Sequence, residues 1–491
     1  MTLESPLLFE TFKASSSSHY LIQDPYHEYG VQFIDHIYRT YGHRAICIYT
    51  NRRERMIHEA QFPQLRSDAV VAVYDVNLDR LDDFAGMMKL RHKIIAVIPF
   101  NETSVVPATD IAHSLGLSWA QPNIMPLFRS KFALKEYLRN EYPNLRMNAS
   151  RIVQTTQDVL SMRRQREYQR FVIKPNDGYG NRDIALFDRE STKQEIKAYL
   201  ARMKHSELVM EEYIDGIEFF VNGQIDAGGD ARTVAIFQYS RRPANGRHNI
   251  DFETLRISYG TPLFDNLARY AENVMRATGL RRCPFHLELK VDELGPCLIE
   301  AAARLPGHGN ALLSGELHGP KLDLIDLACH YYFKSDYREL PLDWSAYNSR
   351  AVRYVHGVAQ RPERICELEG IGEVEALPEF HSWVKKLVIG TRIQRTVDCL
   401  SMPWCVVLKA ATEPQVGSAA NRVRQLIQWN RHVGSVRQAA LSIKFKIPRV
   451  LNLIQREIRI TLPALHLSND ARYAANRRDG TYQLRGVRTP R

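Results

Sequence analysis

FHLELKVDELGPCLIEAAAR, residues 285–304, reads as two short strands, FHLELKV and PCLIEAAAR, joined through a tight DELG turn into a hairpin. Side chains alternate across a strand, so His286, Glu288 and Lys290 share one face of the first strand. By the same rule Glu300, Ala302 and Arg304 share a face of the second, and two carboxylates and a guanidinium converge. A hard divalent cation such as Mg²⁺ takes oxygen ligands, commonly one or two carboxylates with substrate phosphates, while arginine suits an anionic group in transfer. A solvated face with cross-strand charge pairs would give the same alternation. The context weighs against that, because Glu300 sits between CLI and AAA, where an unpaired carboxylate is costly.

Working back along the chain, FVIKPNDGYGNRDIALF (171–187) starts as a strand, breaks into polar residues and glycines, and resumes alternation at Ile184, Leu186 and Phe187. Lys174 ends the first strand, with Gly178 and Gly180 just beyond it. This suits a loop whose N–H groups close over phosphates beside a fixed ammonium, and equally suits an ordinary hairpin with a surface lysine. It is neither a Walker loop, as no G-x-x-x-x-G-K-[ST] occurs, nor a dinucleotide fingerprint, as it leads into a strand.

The outer segments follow the same periodicities. RAICIYT (44–50), AVVAVYDV (69–76) and KIIAVIPF (93–100) are apolar runs rich in Val and Ile, separated by helical patterns, and predict a parallel α/β sheet. MPLFRSKFALKEYLRN predicts a helix around Lys131, and an arginine-rich surface helix is expected over 156–170. SELVMEEYIDGIEFFVNGQI (206–225) gives two strands around a turn at Asp215 and Gly216, and FDNLARYAENVMRATGL (264–280) a helix closing at Gly279. Beyond 336, AVRYVHGVA, WVKKLVIGT and WCVVLKAAT read as strands of a smaller antiparallel or mixed layer, with a helix from about Ala419.

A chain of 491 residues with 44% hydrophobic content fills two or three lobes. The seven cysteines form no CxxC pair or His spacing, so neither zinc nor a disulfide framework is expected. No apolar run of membrane-spanning length occurs, and a cytoplasmic protein is expected. The formal charge is +11, but from Asn421 onward 15 Lys or Arg face 3 Asp or Glu, so the whole excess lies in the tail. Val450, Ile454 and Ile458 recur there at helical spacing among arginines, as in a docked helix with a basic end or an amphipathic helix for an anionic surface. Nothing in it resembles a nucleic-acid module.

Taken in order, RSKFALKEYL, FVIKPNDGYGN, LVMEEYIDGIE and FHLELKVDELGPCLIEAAARLPGHGN resemble the ATP-grasp superfamily of carboxylate–amine ligases, in its L-amino-acid ligase-like branch. The likeness runs over about residues 90–415 and includes IIAVIPFNETSVVPATDIAHSLGL, similar to the segment preceding the ATP site in amino-acid ligases. It implies an α/β fold with an N-terminal parallel domain (1–122), a two-lobed core (123–205 with the glycine-rich lid, 206–335 with the adenine hinge and metal hairpin), a C-terminal subdomain (336–420) and a basic extension (421–491).

The resemblance implies ATP and Mg²⁺, or Mn²⁺ in its place, as cofactors. Lys131 and Lys174 would contact the α and β phosphates under the Gly178–Gly180 lid. The hinge Glu211, Glu212, Tyr213 and Ile214 would meet the adenine edge through its backbone, and Glu218 the ribose hydroxyls. Glu288 and Glu300 would hold the metal, and Arg304 the transferring phosphoryl group. The family's usual third ligand, an asparagine, is Ala302 here, which leaves the second metal open, with Asn310 or a water as substitutes. Arg241, Arg242 and His308 are candidates for a substrate carboxylate, with an exposed turn and a loop histidine as the plainer readings.

The expected activity is amide or peptide bond formation through an acyl phosphate, joining an amino acid to a second amino acid or amine in specialised metabolism. The alternatives are an ATP-grasp carboxylase or nucleotide-pathway ligase, or a non-catalytic ATP-binding scaffold working through its tail. Small-molecule carboxylate and amine substrates are the expected partners. A homodimer is compatible with the family.

Overall fold

The computed structural model describes residues 18–430, apart from 26, 63–64, 66, 118–120, 181, 204–205, 308–316, 320–323 and 334–341. Three sheets organise them. The first is parallel and contains β1 (Ser18–Gln23), β2 (Arg44–Tyr49), β3 (Val70–Asp75) and β4 (Lys93–Pro99), in the order β3-β2-β1-β4. Helices α1 (His27–Tyr41), α2 (Arg52–Gln61), α3 (Leu81–Arg91) and α4 (Val105–Ser114) lie between or after these strands in sequence. Tyr20, Leu21 and Ile22 of β1 and Ala45–Tyr49 of β2 are all buried, as expected of strands covered on both faces. The three Val/Ile runs are strands as expected. The central strand β1 was not among them, since its six residues follow directly on a serine run.

The second sheet is antiparallel: β5 (Ser150–Val153), β6 (Arg170–Pro175), β7 (Ala185–Asp188) and β8 (Leu208–Glu212), ordered β5-β8-β6-β7. Helix α5 (Lys131–Glu141) contacts β5, while α6 (Thr156–Met162) and α7 (Lys193–Arg202) supply Val159, Ile196 and Tyr199 to a core with Phe171, Ile173 and Met210. The helix expected over 156–170 ends at Met162. Tyr168 is buried after a short turn, and Phe171 and Ile173, two residues apart, are drawn into the core together, which imposes strand period on the segment.

The third sheet has eight strands. β9 (Ile217–Ile225), β10 (Ala231–Ala244), β11 (Arg247–Arg256), β12 (Cys283–Asp292) and β13 (Gly295–Ala302) are followed by β14 (Ala351–His356) and two small pairs. In those pairs β15 (Glu363–Arg364) meets β18 (Arg392–Ile393), and β16 (Leu368–Glu369) meets β20 (Gln428–Trp429). With β17 (Phe380–Lys385) and β19 (Cys405–Ala410), the large sheet runs β13-β12-β9-β10-β11-β14-β19-β17. Helix α8 (Pro262–Ala277) covers it with Phe264, Leu267, Ala271, Val274 and Met275. The C-terminal strands therefore continue this sheet instead of forming a layer of their own. Edge pairing of Leu255 with Arg353 joins them, a non-local match that strand periodicity does not encode. The last helix among the described residues spans Glu413–Leu426, starting earlier than Ala419 because Thr412 and Gln415 form a capping box.

β8 and β9 belong to different sheets, so the segment read as one turn is the crossing between them. A Cβ at Gly216 would lie 2.2 Å from the Val291 carbonyl oxygen, and no side chain fits there. Gly216→Ala should therefore lower unfolding stability by roughly 1–3 kcal/mol through overpacking. Chemical denaturation reads this directly, and an unchanged midpoint would show that the crossing yields freely.

Candidate active site

Helix α5 starts at Lys131 because its first N–H groups are capped from two directions. Ser130 Oγ accepts from Ala133 N at 3.0 Å, and Asn176 Oδ1 accepts from Phe132 N at 3.0 Å. Asn176 lies just past β6, so the cap also fixes the start of the glycine loop. Lys131, Lys135 and Leu138 then follow at one-turn spacing on a single buried face.

These lysines meet carboxylates of the second and third sheets. Lys131 Nζ lies 3.3 Å from Glu300 Oε1 and also donates to the Gly178 carbonyl. Lys174, at the end of β6, places Nζ 2.8 Å from Glu211 Oε2, and Lys135 Nζ lies 2.9 Å from Glu211 Oε1. Burial opposes ionisation of Glu211, but Lys135 and Lys174 together pull its carboxyl down to about 2. Burial likewise works against the Lys174 ammonium, yet Glu211, then Glu300 and Glu288, hold its pKa above the usual lysine value.

Glu288 and Glu300 stand directly opposite each other on β12 and β13. Glu288 Oε1 accepts from Tyr239 Oη at 2.9 Å and is 3.6 Å from His286 Nε2, whose Nδ1 is 2.8 Å from Asn222 Oδ1. Burial opposes its charge, but His286, Arg241 and Tyr239 lower its carboxyl to about 2. Two opposed carboxylates suit Mg²⁺, which keeps waters and phosphate oxygens in its shell, and no group of three or more acidic, histidine or cysteine residues arranged to hold a metal occurs among the described residues. Ala302 is opposite His286, where it supplies no ligand.

Arg304 extends this face toward the parallel sheet. Its Nε and Nη2 donate to Glu102 Oε2 and its Nη1 to the Leu305 carbonyl at 2.7 Å, leaving one N–H on each terminal nitrogen. Glu102 also meets Arg129 Nη1 at 3.1 Å. Burial would raise its pKa, but Arg304 and Arg129 outweigh that and lower it.

The crossing from β8 to β9 is held by backbone and side-chain bonds. Glu212 N donates to the Ala149 carbonyl at 2.8 Å and Ala149 N to Glu212 Oε2 at 3.1 Å, Tyr213 N donates to the Arg170 carbonyl at 3.0 Å, and Lys290 Nζ donates to the Ile214 carbonyl at 3.1 Å. The Tyr213 carbonyl and the Ile214 N–H have no partner among the described residues. The Tyr213 ring lies between Arg170, 4.5 Å from its centroid, and Lys290, 4.3 Å away. Glu218 lies beyond the crossing, with Oε1 2.7 Å from Arg241 Nη1. Burial raises the Glu218 pKa against the pull of Arg241, with Glu288 adding to the rise. Asp251, the register partner of Arg241, is pushed by burial to about 7.

Ion pairs, opposed strand positions and mutual electrostatics thus group Lys131, Lys174, Glu211, Glu218, Glu288 and Glu300, and Glu102 ties Arg304 to the same group through Arg129 and Lys131. Gly178 joins it through Lys131. The Gly180 carbonyl accepts from Cys399 Sγ at 3.1 Å, so the loop touches the chain between β18 and β19. Arg241 is already engaged by Glu218 and stacked 4.2 Å over Tyr239, whereas Arg242 is exposed, 5.4 Å over the Phe252 ring. His308 and Asn310 lie outside the described residues, as does the tail from 431. Lys135, Asn148, Glu102 and Tyr239 were not anticipated. The spacing of Lys135 from Lys131 is the single local signal that could have suggested it.

Residues 168–311 match the ATP-grasp domain family. The chain is 26% identical over 254 residues to dapdiamide A synthase of Enterobacter agglomerans, covering 48% of this chain and 56% of that protein. It is 24% identical over 272 residues to the uncharacterized protein y4rH of Sinorhizobium fredii, covering 53% and 52% respectively. The chain spans about half the length of the curated relatives it matches. Among solved structures, L-amino acid ligase from Bacillus licheniformis superposes with a TM-score of 0.68 at 15% identity, over 85% of this chain and 99% of that one. Phosphoribosylglycinamide synthetase from Anaerococcus prevotii gives a TM-score of 0.58 at 11% identity, over 84% and 99%. Residues 168–311 thus match an ATP-grasp domain, within a chain whose fold resembles that of an L-amino acid ligase.

Proposed function

We propose that the protein is an ATP-dependent carboxylate–amine ligase that joins an amino acid to a second amino acid or amine, releasing ADP and phosphate. The observation that carries this reading is the convergence of Lys131, Lys174, Glu288, Glu300 and Arg304 from two sheets and a helix onto one charged cluster. The unpartnered Tyr213 carbonyl and Ile214 N–H offer an acceptor and a donor, the complement of the adenine edge. In this reading Lys131 and Lys174 neutralise phosphates, and Glu218 meets the ribose hydroxyls. Glu288 and Glu300 would hold Mg²⁺, which when bound supplies charge neutralisation at the phosphates.

A carboxylate is a poor electrophile. In the proposed reaction its oxygen attacks the γ-phosphorus of ATP, and the bond to the bridging oxygen of ADP breaks. The amine nitrogen then forms a bond to the acyl carbon, phosphate leaves, and the amine loses a proton. The chain's contribution is positioning and electrostatic stabilisation by Arg304 and the lysines, with the Gly178–Gly180 loop excluding water. The amino-acid substrate class is supported by the likeness to dapdiamide A synthase and by superposition on an L-amino acid ligase. No helix among the described residues is long and apolar enough to cross a membrane, and a cytoplasmic location, where ATP is abundant, belongs to the same reading.

The test is phosphate and ADP release by the purified full chain with ATP and Mg²⁺, over amino acids offered singly and in pairs, with mass spectrometry of the products. Release that needs two compounds, with a product of their summed mass less water, is the expected result. Release dependent on bicarbonate or on a nucleotide-linked amine would replace this reading with the carboxylase or nucleotide-pathway class.

A further inference from the structure

On the carboxylate that holds Lys174 lies a second ammonium that the proposed reaction does not use. Lys135 is 1% exposed and donates to Glu211 Oε1 at 2.9 Å and to Asn148 Oδ1 at 2.7 Å. Asn148 is fixed in turn, since its Nδ2 donates to the Glu212 carbonyl at 2.9 Å and reaches Glu211 Oε2 at 3.4 Å. Two ammonium groups thus share one carboxylate. Lys174 is the partner that Glu300 and Glu288 also act on, whereas Lys135 is enclosed by Glu211 and Asn148.

We propose that Lys135 is a positioning residue for nucleotide binding, holding Glu211 as its own counter-ion so that the Lys174 ammonium can turn to a phosphoryl oxygen. This rests on Lys174 being a phosphate-binding lysine, as in the proposed function. The physical reason is the cost of an unpaired buried charge. If Lys174 were the sole cation on Glu211, its departure would strand a carboxylate that is 1% exposed, and the ammonium would stay where it is. With Lys135 in place, Glu211 keeps an ionic partner and Asn148, and Lys174 exchanges one oxygen anion for another. Lys135 itself touches no substrate. Burial and the neighbouring Lys174 lower its pKa while Glu211 raises it, so the site tolerates this second ammonium through that single carboxylate.

The experiment is ADP affinity by calorimetry for the native chain, Lys135→Met, Lys174→Ala and the double variant Lys135→Met/Glu211→Gln. Lys135→Met should weaken ADP binding by about 10-fold or more, as Glu211 then retains Lys174. Adding Glu211→Gln should return affinity to within a few-fold of native, because no carboxylate is left to guard. Native affinity in Lys135→Met would overturn the proposal, as would a loss that Glu211→Gln does not recover, since Lys135 would then act through packing alone. Unchanged ADP binding in Lys174→Ala is a separate result that sinks the phosphate assignment itself. Should Lys135→Met fail to fold by circular dichroism, Glu211→Gln in the native background decides. Retained or tighter ADP binding supports the proposal, and a 10-fold loss refutes it.

Discussion

Replacing Arg304 with alanine should lower kcat by about 10³-fold while ATP affinity stays within a few-fold of native. Its guanidinium is fixed before any substrate arrives. Nε and Nη2 are spent on Glu102 and one Nη1 hydrogen on the Leu305 carbonyl, so the remaining two N–H groups point from a rigid fork. Such donors cost little reorganisation when charge develops on a transferring phosphoryl group. The loss should therefore fall on chemistry and not on ground-state binding. Glu102→Gln tests the same arrangement from the other end. The fork would lose its fixed anion, and kcat should drop by about 10-fold with little change in KM for ATP. Steady-state kinetics beside ATP calorimetry separates the outcomes. A variant at Arg304 that loses ATP affinity as much as rate would place this side chain on the nucleotide ground state.

Glu300→Gln should reduce kcat by about 10²-fold or more at saturating Mg²⁺ and raise the Mg²⁺ concentration needed for half-maximal rate. The glutamine keeps the shape of the side chain but not its charge, and Glu288 is left as the sole carboxylate of the opposed pair. Lys131, 3.3 Å away, would also lose its ionic partner and lean more on the Gly178 carbonyl. The effect on folding should be small, because Glu300 is about a quarter exposed. Native kinetics and a native magnesium titration in this variant would remove Glu300 from the metal site.

The features legible in the sequence are those written in local period. The Val/Ile runs of β2, β3 and β4, the hairpin carrying Glu288 and Glu300, and Lys174 at a strand end all follow from alternation and turn residues. The Asn245–Gly246 turn that folds β10 onto β11, with φ of 56° and 74°, is written in the same local code, an Asn-Gly pair at a hairpin. What the sequence hid was pairing at long range. Arg241 looked like a carboxylate receptor, but its partner is Glu218, 23 positions earlier on a neighbouring strand. Lys135 sits in a charged stretch that resembles a solvated helix face, and only the placement of β8 beneath α5 buries it against Glu211. Glu102 lies 202 positions from Arg304, in a turn whose composition suggests a cap and nothing more.

That last contact bears on how such chains can be recombined. The recognisable domain, residues 168–311, carries Lys174, Glu288, Glu300 and Arg304, while Glu102, Arg129, Lys131 and Lys135 all precede it. Grafting the matched segment onto a foreign amino-terminal half would leave Arg304 without an anion and Glu211 with a single cation. The heritable unit of this site is therefore larger than the segment by which it is recognised, and a chimaera would have to carry its acidic turn and two lysines together.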